Sequence, residues 1–236
     1  MARRGYHFAV AKSAIGASGI GLIRFATSDP PEIPESHFRD GPCLIQGWLD
    51  ESVDRVHHIA SPSVQMVVTD DTVSLYDITD QILGVDSVHE GNVSPPESFS
   101  DPSLQQELLR QAGMTGRWLH SQGYRGTASA DYHLAFLHSG EVEVRVCELN
   151  ARVTGATYPS ILARHFQPEG TWHMRNLRLP KPAEGGRILD NLEQASLLYR
   201  RGASSGILPI NLNLQADALV SNGQFLFLGT NLAEIA

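Results

Sequence analysis

Asp131, Glu148, Asn150 and Arg152 fall within residues 124–166, YRGTASADYHLAFLHSGEVEVRVCELNARVTGATYPSILARHF, and side chains of these kinds at these intervals are suited to chemistry. The stretch reads as an antiparallel hairpin, then a Gly/Thr turn and a helix. Pairing about a turn at His138-Ser139-Gly140-Glu141 sets Asp131 opposite Glu148. Facing Cβ atoms lie about 5 Å apart in such a pair, which is close for two carboxylates. The period of two in a strand puts Glu148, Asn150 and, with the strand continued, Arg152 on one face. Oxygen donors of this kind suit Mg²⁺, which keeps several waters and is usually held by one or two carboxylates plus substrate phosphates. Asp131, Glu148 and Asn150 are therefore candidate metal ligands, and Arg152 is the cation that would meet phosphate or a developing negative charge. A solvated sheet edge with acids placed by chance is the competing reading of the same spacing.

The elements that must position these residues follow from the rest of the chain. Its 236 residues can bury a real core. A net charge of −8, with no basic run, argues against nucleic acid as a partner. Cys43 and Cys147, far apart and flanked by apolar residues, read as two buried thiols in a reducing compartment. No apolar run approaches the roughly 18 residues of a membrane span. The opening MARRGYHFAV is too polar for a signal peptide, so the expected localisation is cytoplasmic.

Residues 6–11 form an apolar strand ending at Lys12, SAIGASGIG follows, and residues 22–26 form a second strand. Glycines 16, 19 and 21 would let this hairpin loop fold over a ligand with its N–H groups exposed, or make a plain Gly/Ser loop. Residues 27–42 are Pro-rich and irregular, and residues 43–49, CLIQGWL, read as a strand. Two more strands, 63–68 and 72–78, flank the Asp70-Asp71 turn. Asp50, Glu51 and Asp54 fit a solvated turn or the holding of a sugar hydroxyl. Asp77, Asp80 and Gln81 continue a polar edge, and His89-Glu90-Gly91-Asn92 falls in a loop. Asp101 caps a helix opened by Pro102, with Leu104, Leu108, Ala112 and Leu119 inward and Gly123 closing it. After the central hairpin come a helix at 158–166, a loop at 168–186 and a helix at 188–201 with Leu189, Leu192, Ala195 and Leu198 or Leu197 inward, stopped by Gly202. Strands at 206–214 and 218–228 end the chain, the second interrupted by a tight turn at Ser221-Asn222-Gly223.

Taken together, VAKSAIGASGIG, LIQGWLDE, ASADYHLAF and CELNARVTGATYPSILAR resemble the nucleotide-binding portion of the ATP-grasp superfamily, in the carboxylate-amine ligase branch that includes peptide ligases of peptide-antibiotic biosynthesis. The resemblance implies an α+β fold of antiparallel sheets with packed helices, N-terminally truncated. Residues 1–48 would be part of the small subdomain, 49–166 the catalytic subdomain and 167–236 a C-terminal extension. It implies ATP and Mg²⁺ as cofactors, with Lys12 on nucleotide phosphate and Ser18, Gly19 and Gly21 in the loop that closes over the phosphates. Gln46, Gly47, Trp48 and Leu49 would form the adenine hinge, and Glu51 would be a ribose ligand. Asp131, Glu148 and Asn150 would hold metal, and Arg152 would steady the transferred phosphate.

The implied activity is peptide-bond formation through an acylphosphate, from small-molecule or peptide carboxylate and amine substrates. Because eleven residues precede Lys12, the resemblance also implies completion by a homo-oligomer or by a complementing N-terminal domain or chain. A nucleotide-binding module without turnover, and an ATP-grasp enzyme with a thiol or other acceptor, are the alternatives.

Overall fold

Strand periodicity at both ends of the chain becomes antiparallel sheet, and a computed structural model describes residues 1–15, 21–84, 89–96 and 101–235. The chain divides into two units, one of Met1–Ser61, Leu83–His89 and His133–Arg145, the other of Pro62–Ile82, Glu90–Tyr132 and Val146–Ala236. In the first unit β1 (Phe8–Lys12) lies between β2 (Leu22–Ala26) and β3 (Leu44–Gly47). Ala9, Val10 and Ala11 are buried, as the continuous apolar run of a central strand requires. β3 crosses β1 with Ala9 opposite Gly47, and a Cβ on Gly47 would come within 2.8 Å of the Tyr6 ring. β4 (Val56–Ala60) pairs the last residues of β8 (Gly126–Leu137), from Val56 opposite Leu137 to Ala60 opposite Leu134. Val53, Val56 and Ala135 form the apolar centre there, with Tyr6, Leu49 and Leu137 packed on it.

The second unit is built on a sheet in the order β11, β12, β10, β7, β6, β5, β8. β5 (Pro62–Val68) and β6 (Val73–Leu83) are joined at Asp70–Asp71 as the sequence predicts, with the Thr69 N–H donating to the Thr72 carbonyl at 2.9 Å. α1 (Pro102–Ser121) starts where expected, the Asp101 carboxylate accepting the Ser103 N–H at 2.8 Å. It buries Leu104, Leu108, Ala112, Gly116 and Leu119. β9 (Val142–Asn150), α2 (Thr157–Phe166) and α3 (Gly185–Gln194) complete the α+β arrangement that the sequence implies. α2 packs on Trp172, Met174, Leu226 and Leu228, and α3 on Phe225, Val220 and their neighbours. Among the described residues no helix is long and apolar enough to cross a membrane.

Several boundaries differ from the sequence reading. The loop predicted over 168–186 is largely β10 (Thr171–Ala183), whose prolines lie where its pairing with β12 (Val220–Gly229) loses register, between Arg178 and Ala183. The loop predicted at 89–92 belongs to β7 (His89–Ser94). β12 is not broken at 221–223, because Asn222 is paired on both sides, with Arg178 and with Asn213 of β11 (Gly206–Leu214). α3 ends at Gln194, short of Gly202, before Ser196 turns to φ 58°. Ile188, rather than Leu189 or Ala195, is the residue it buries. Cys43 and Cys147 form no disulfide and are half-buried rather than fully buried.

Candidate functional site

Alternation in the central strands of the second unit sets two polar rows on one sheet face. Ser63 of β5 lies opposite Asp131 of β8 and Thr79 of β6, and Gln65 lies opposite Ser129 and Asp77. Asn92 and Ser94 of β7 extend both rows, Asn92 Nδ2 reaching Thr79 Oγ1 at 3.4 Å and Ser94 Oγ donating to Asp77 Oδ1 at 2.8 Å. Trp172 Nε1 donates to Asp77 Oδ2 at 3.1 Å. The intervening residues Val64, Met66, Ala128 and Ala130 are all buried on the opposite face. One face of these strands is core and the other is chemistry.

Asp131 is the most constrained member. Ser63 Oγ donates to its Oδ1 at 2.6 Å, Asn150 Nδ2 to its Oδ2 at 3.0 Å, and Ser129 Oγ stands 3.5 Å away. Burial pushes its carboxyl above the usual carboxylate range and the Glu148 charge pushes it further, while the bonds from Ser63, Ser129 and Asn150 pull it down. Ser63 is itself aimed by Gln65, whose Nε2 donates to Ser63 Oγ at 2.8 Å. Thr154 Oγ1 reaches Gln65 Oε1 at 3.4 Å, and the Thr154 N–H donates to Thr157 Oγ1 at 3.0 Å. A chain of hydrogen bonds thus runs from the carboxylate to the first turn of α2. It occupies the Thr154 N–H in the Gly/Thr turn that leads into α2.

The donors fit a magnesium ion. Among the described residues no group of three His, Cys, Asp or Glu side chains comes together. An ion here would draw on Asp131, Glu148 and Asn150 and complete its shell with water and ligand oxygens, the habit of Mg²⁺. The repulsion that Asp131 feels from Glu148 is what a divalent cation would neutralise.

Asp131, Glu148 and Asn150 are brought together as the spacing predicts, although the hairpin tip is one residue out of the expected register. Gly140, at φ 87°, closes a three-residue turn in which the Leu137 N–H donates to the Glu141 carbonyl and the Gly140 N–H to the Leu137 carbonyl. Carried unchanged to the site, that register would put Asp131 and Asn150 on opposite faces. Their bond at 3.0 Å shows that the tip register does not carry unchanged to the site. Arg152 departs from expectation. The strand ends at Asn150, so Arg152 stands on an exposed bend, with its guanidinium reaching the Val153 carbonyl at 3.4 Å.

The remaining predicted residues belong to the first unit. Lys12 ends β1, and burial followed by the Lys12 charge lowers the His133 imidazole below its ordinary value. Gln46 lies opposite Val10, and the Trp48 N–H donates to the Phe8 carbonyl at 3.0 Å. The Arg24 guanidinium stacks over Phe8 at 4.2 Å and Trp48 at 5.1 Å and pairs with Asp50 at 2.8 Å. Leu49 packs into the apolar centre, and Glu51 faces His58 Nδ1 at 3.2 Å. The Gly21 carbonyl accepts the Ser13 N–H at 3.0 Å, with φ 82° at Gly21. Ser18 and Gly19 lie outside the described residues.

Sequence reasoning missed Ser63, Gln65, Thr79, Asn92, Ser94 and Ser129. Their signal was present as polar residues two apart in otherwise apolar strands: Ser63 and Gln65, Asp77 and Thr79, Asn92 and Ser94, Ser129 and Asp131.

The arrangement is an ATP-grasp-like α+β fold. No protein-family model matches the chain. It is 31% identical over 117 residues to the [butirosin acyl-carrier protein]–L-glutamate ligase of Niallia circulans, a match covering 49% of this chain and 25% of that protein. Among solved structures, carboxyaminoimidazole ribonucleotide synthase from Aspergillus clavatus, complexed with ATP, aligns over 98% of this chain and 59% of its own at TM-score 0.56 and 18% identity. A biotin carboxylase complex from Campylobacter jejuni aligns over 94% and 53% at TM-score 0.63 and 13% identity. The chain thus spans a quarter of the curated relative it matches and between half and two thirds of these solved chains.

Proposed function

We propose that this chain carries the nucleotide and metal site of an ATP-dependent carboxylate-amine ligase that works through an acylphosphate. The observation that carries the reading is the Asp131 carboxylate, oriented by Ser63 and Asn150 and repelled by Glu148, on the polar face of an ATP-grasp sheet. Asp131, Glu148 and Asn150 would hold Mg²⁺, which when bound offsets the charge of the β- and γ-phosphates. Lys12 would supply a point charge to phosphate, and Ser18, Gly19 and Gly21 the loop that covers it. β3 is an edge of its sheet, and its outer backbone groups, at Gln46 and Gly47 and on into Trp48, would read adenine while Glu51 holds the ribose.

An oxygen of the substrate carboxylate attacks the γ-phosphorus and the bond to the β-phosphate oxygen breaks, leaving ADP and an acylphosphate. The amine then attacks the acyl carbon, phosphate leaves, and the amine proton passes to phosphate or solvent. Arg152 would steady the transferred phosphoryl group from its exposed bend. Excluding water matters because the acylphosphate hydrolyses readily.

Similarity to a ligase that joins glutamate to a carrier protein favours an amino acid and a carrier-bound acyl group as the substrate pair to try first. The test is ADP release by the full chain supplied with Mg-ATP, L-glutamate and an acylated carrier protein. Release that requires both co-substrates, and is lost in Asp131→Asn, is expected. Release that needs neither, or persists in that variant, would overturn the reading.

A further inference from the structure

The face that presents Asp131 does not end at the metal residues. Traced across the sheet, the row of Asp131, Ser63, Thr79 and Asn92 continues to Met174 of β10, Leu226 of β12 and Leu208 of β11. There α2 covers it with the Ala163 cluster. The next two rows on these three strands change character. Asn176 lies opposite Gln224, which lies opposite Asn211, and Arg178 lies opposite Asn222, which lies opposite Asn213. Opposed residues share a face, so five carboxamides and one guanidinium form a patch with no carboxylate in it. Asn176, Arg178, Asn211 and Asn213 are exposed.

The patch is ordered from within. Gln224 Nε2 donates to Asn176 Oδ1 at 2.9 Å, and Asn213 Nδ2 to Asn222 Oδ1 at 2.6 Å. Tyr158 OH donates to Gln224 Oε1 at 2.5 Å, and Asn211 Nδ2 stands 3.5 Å from the same oxygen. A carboxamide has two N–H donors and a carbonyl with two lone pairs. In Asn211, Asn213 and Asn222 these bonds use a part of that capacity and fix the direction of the rest. Tyr158 follows Thr157, the end of the hydrogen-bond chain from Asp131, so successive residues of α2 touch the acid site and the amide patch. Four strand spacings separate β8 from β10, about 19 Å along the face.

Paired donors and acceptors at fixed spacing complement secondary amides. A patch without negative charge, ending in a guanidinium, also accepts an anionic terminus. We propose that Asn176, Gln224, Asn211, Asn222, Asn213 and Arg178 form a binding platform for an amide-bearing, peptide-like substrate chain, on the same sheet face as the metal residues. As a substrate platform it rests on the ligase reading above; as a binding site it can be measured without turnover.

The experiment is a titration of the ¹⁵N-labelled full chain with triglycine, following the side-chain NH₂ resonances of the five amides, beside a calorimetric titration with Mg-ATP. An analogue with ester links in place of both amide bonds is the control. Saturable shifts with triglycine, much weaker shifts with the ester, and roughly tenfold weaker triglycine binding in Asn211→Ala/Asn213→Ala are expected, since two hydrogen bonds of ordinary net strength are lost. Both altered residues are exposed, and Mg-ATP affinity in the variant should equal that of the parent. Absence of saturable shifts, equal response to the ester, or unchanged triglycine affinity in the variant would overturn the platform while leaving the nucleotide reading intact. Triglycine binding in a chain that ignores Mg-ATP would instead sustain the platform and sink the ligase reading.

Discussion

Replacing Asp131 by Asn separates what the residue does for the fold from what it does for a ligand. The substitution keeps shape and removes one negative charge. Ser63 can still donate to Oδ1, but the amide would face the Asn150 Nδ2 that now stands 3.0 Å from Oδ2, so the Asn150 carboxamide must turn over. Two hydrogen bonds to a charged group become neutral ones, a loss of about 2 kcal/mol. Against this, the parent holds a half-buried carboxylate beside the Glu148 charge, an effective penalty of several kcal/mol. The direction of the raised carboxyl favours the variant without ligand, so its Tm should lie above that of the parent.

The pH dependence carries the sign. A carboxyl whose folded pKa is raised binds its proton more tightly in the native state, so the parent loses stability as pH rises from the unfolded value through the raised one. Asp131→Asn lacks that loss, and its advantage should grow over the same window. Mg-ATP works against that advantage, because removal of one ligand carboxylate should weaken binding at least tenfold, about 1.4 kcal/mol. Thermal melts from pH 4 to 8 with calorimetric Mg-ATP titrations test both halves. A folded variant that binds Mg-ATP as tightly as the parent refutes the metal role. One that melts below the parent with an unchanged pH slope refutes the electrostatic account.

Gln65→Leu keeps the volume but removes the donor that aims Ser63 and the acceptor of Thr154; a loss of about 1–2 kcal/mol in urea denaturation is expected, with weaker Mg-ATP binding, and unchanged values in both would show that Gln65 only fills space. A Cβ on Gly91 would lie 2.1 Å from the Met174 carbonyl, so Gly91→Ala should part β7 from β10 and cost about 2–3 kcal/mol, read by the same denaturation. Because burial first and then the Lys12 charge lower His133, Lys12→Gln should move the imidazole part of the way back toward its ordinary value, seen by NMR titration of its C2–H. The sign for stability is opposite to that of Asp131: the unfolded imidazole takes up its proton first, near pH 6.5, so this contribution is complete above that pH and is lost as pH falls toward the lowered folded value. Lys12→Gln should soften that acid loss.

The metal residues were legible because a strand has a fixed period. Glu148 and Asn150 share a face under any register, and Asp131 joins them only where the pairing at the site holds it on that face, since a slip of one residue reverses it. What supports them was harder to read, since beyond the β5–β6 hairpin no local pattern encodes the pairings that bring Ser63, Gln65, Thr79 and Asn92 beside Asp131. The errors in the C-terminal third have the same origin. Propensity placed a loop at 168–186 and a turn at 221–223, because Pro, Gly and Asn dominate both. Each became strand because its neighbours pair with it on both sides, with β10 between β7 and β12 and β12 between β10 and β11. Tertiary pairing outweighs a local preference of a few tenths of a kcal/mol per residue. Those misread segments carry Asn176, Arg178 and Asn222. Amides that look like turn formers in one dimension became a polar sheet face in three, which is why the candidate platform escapes a reading by propensity while the acids at Asp131 and Glu148 do not.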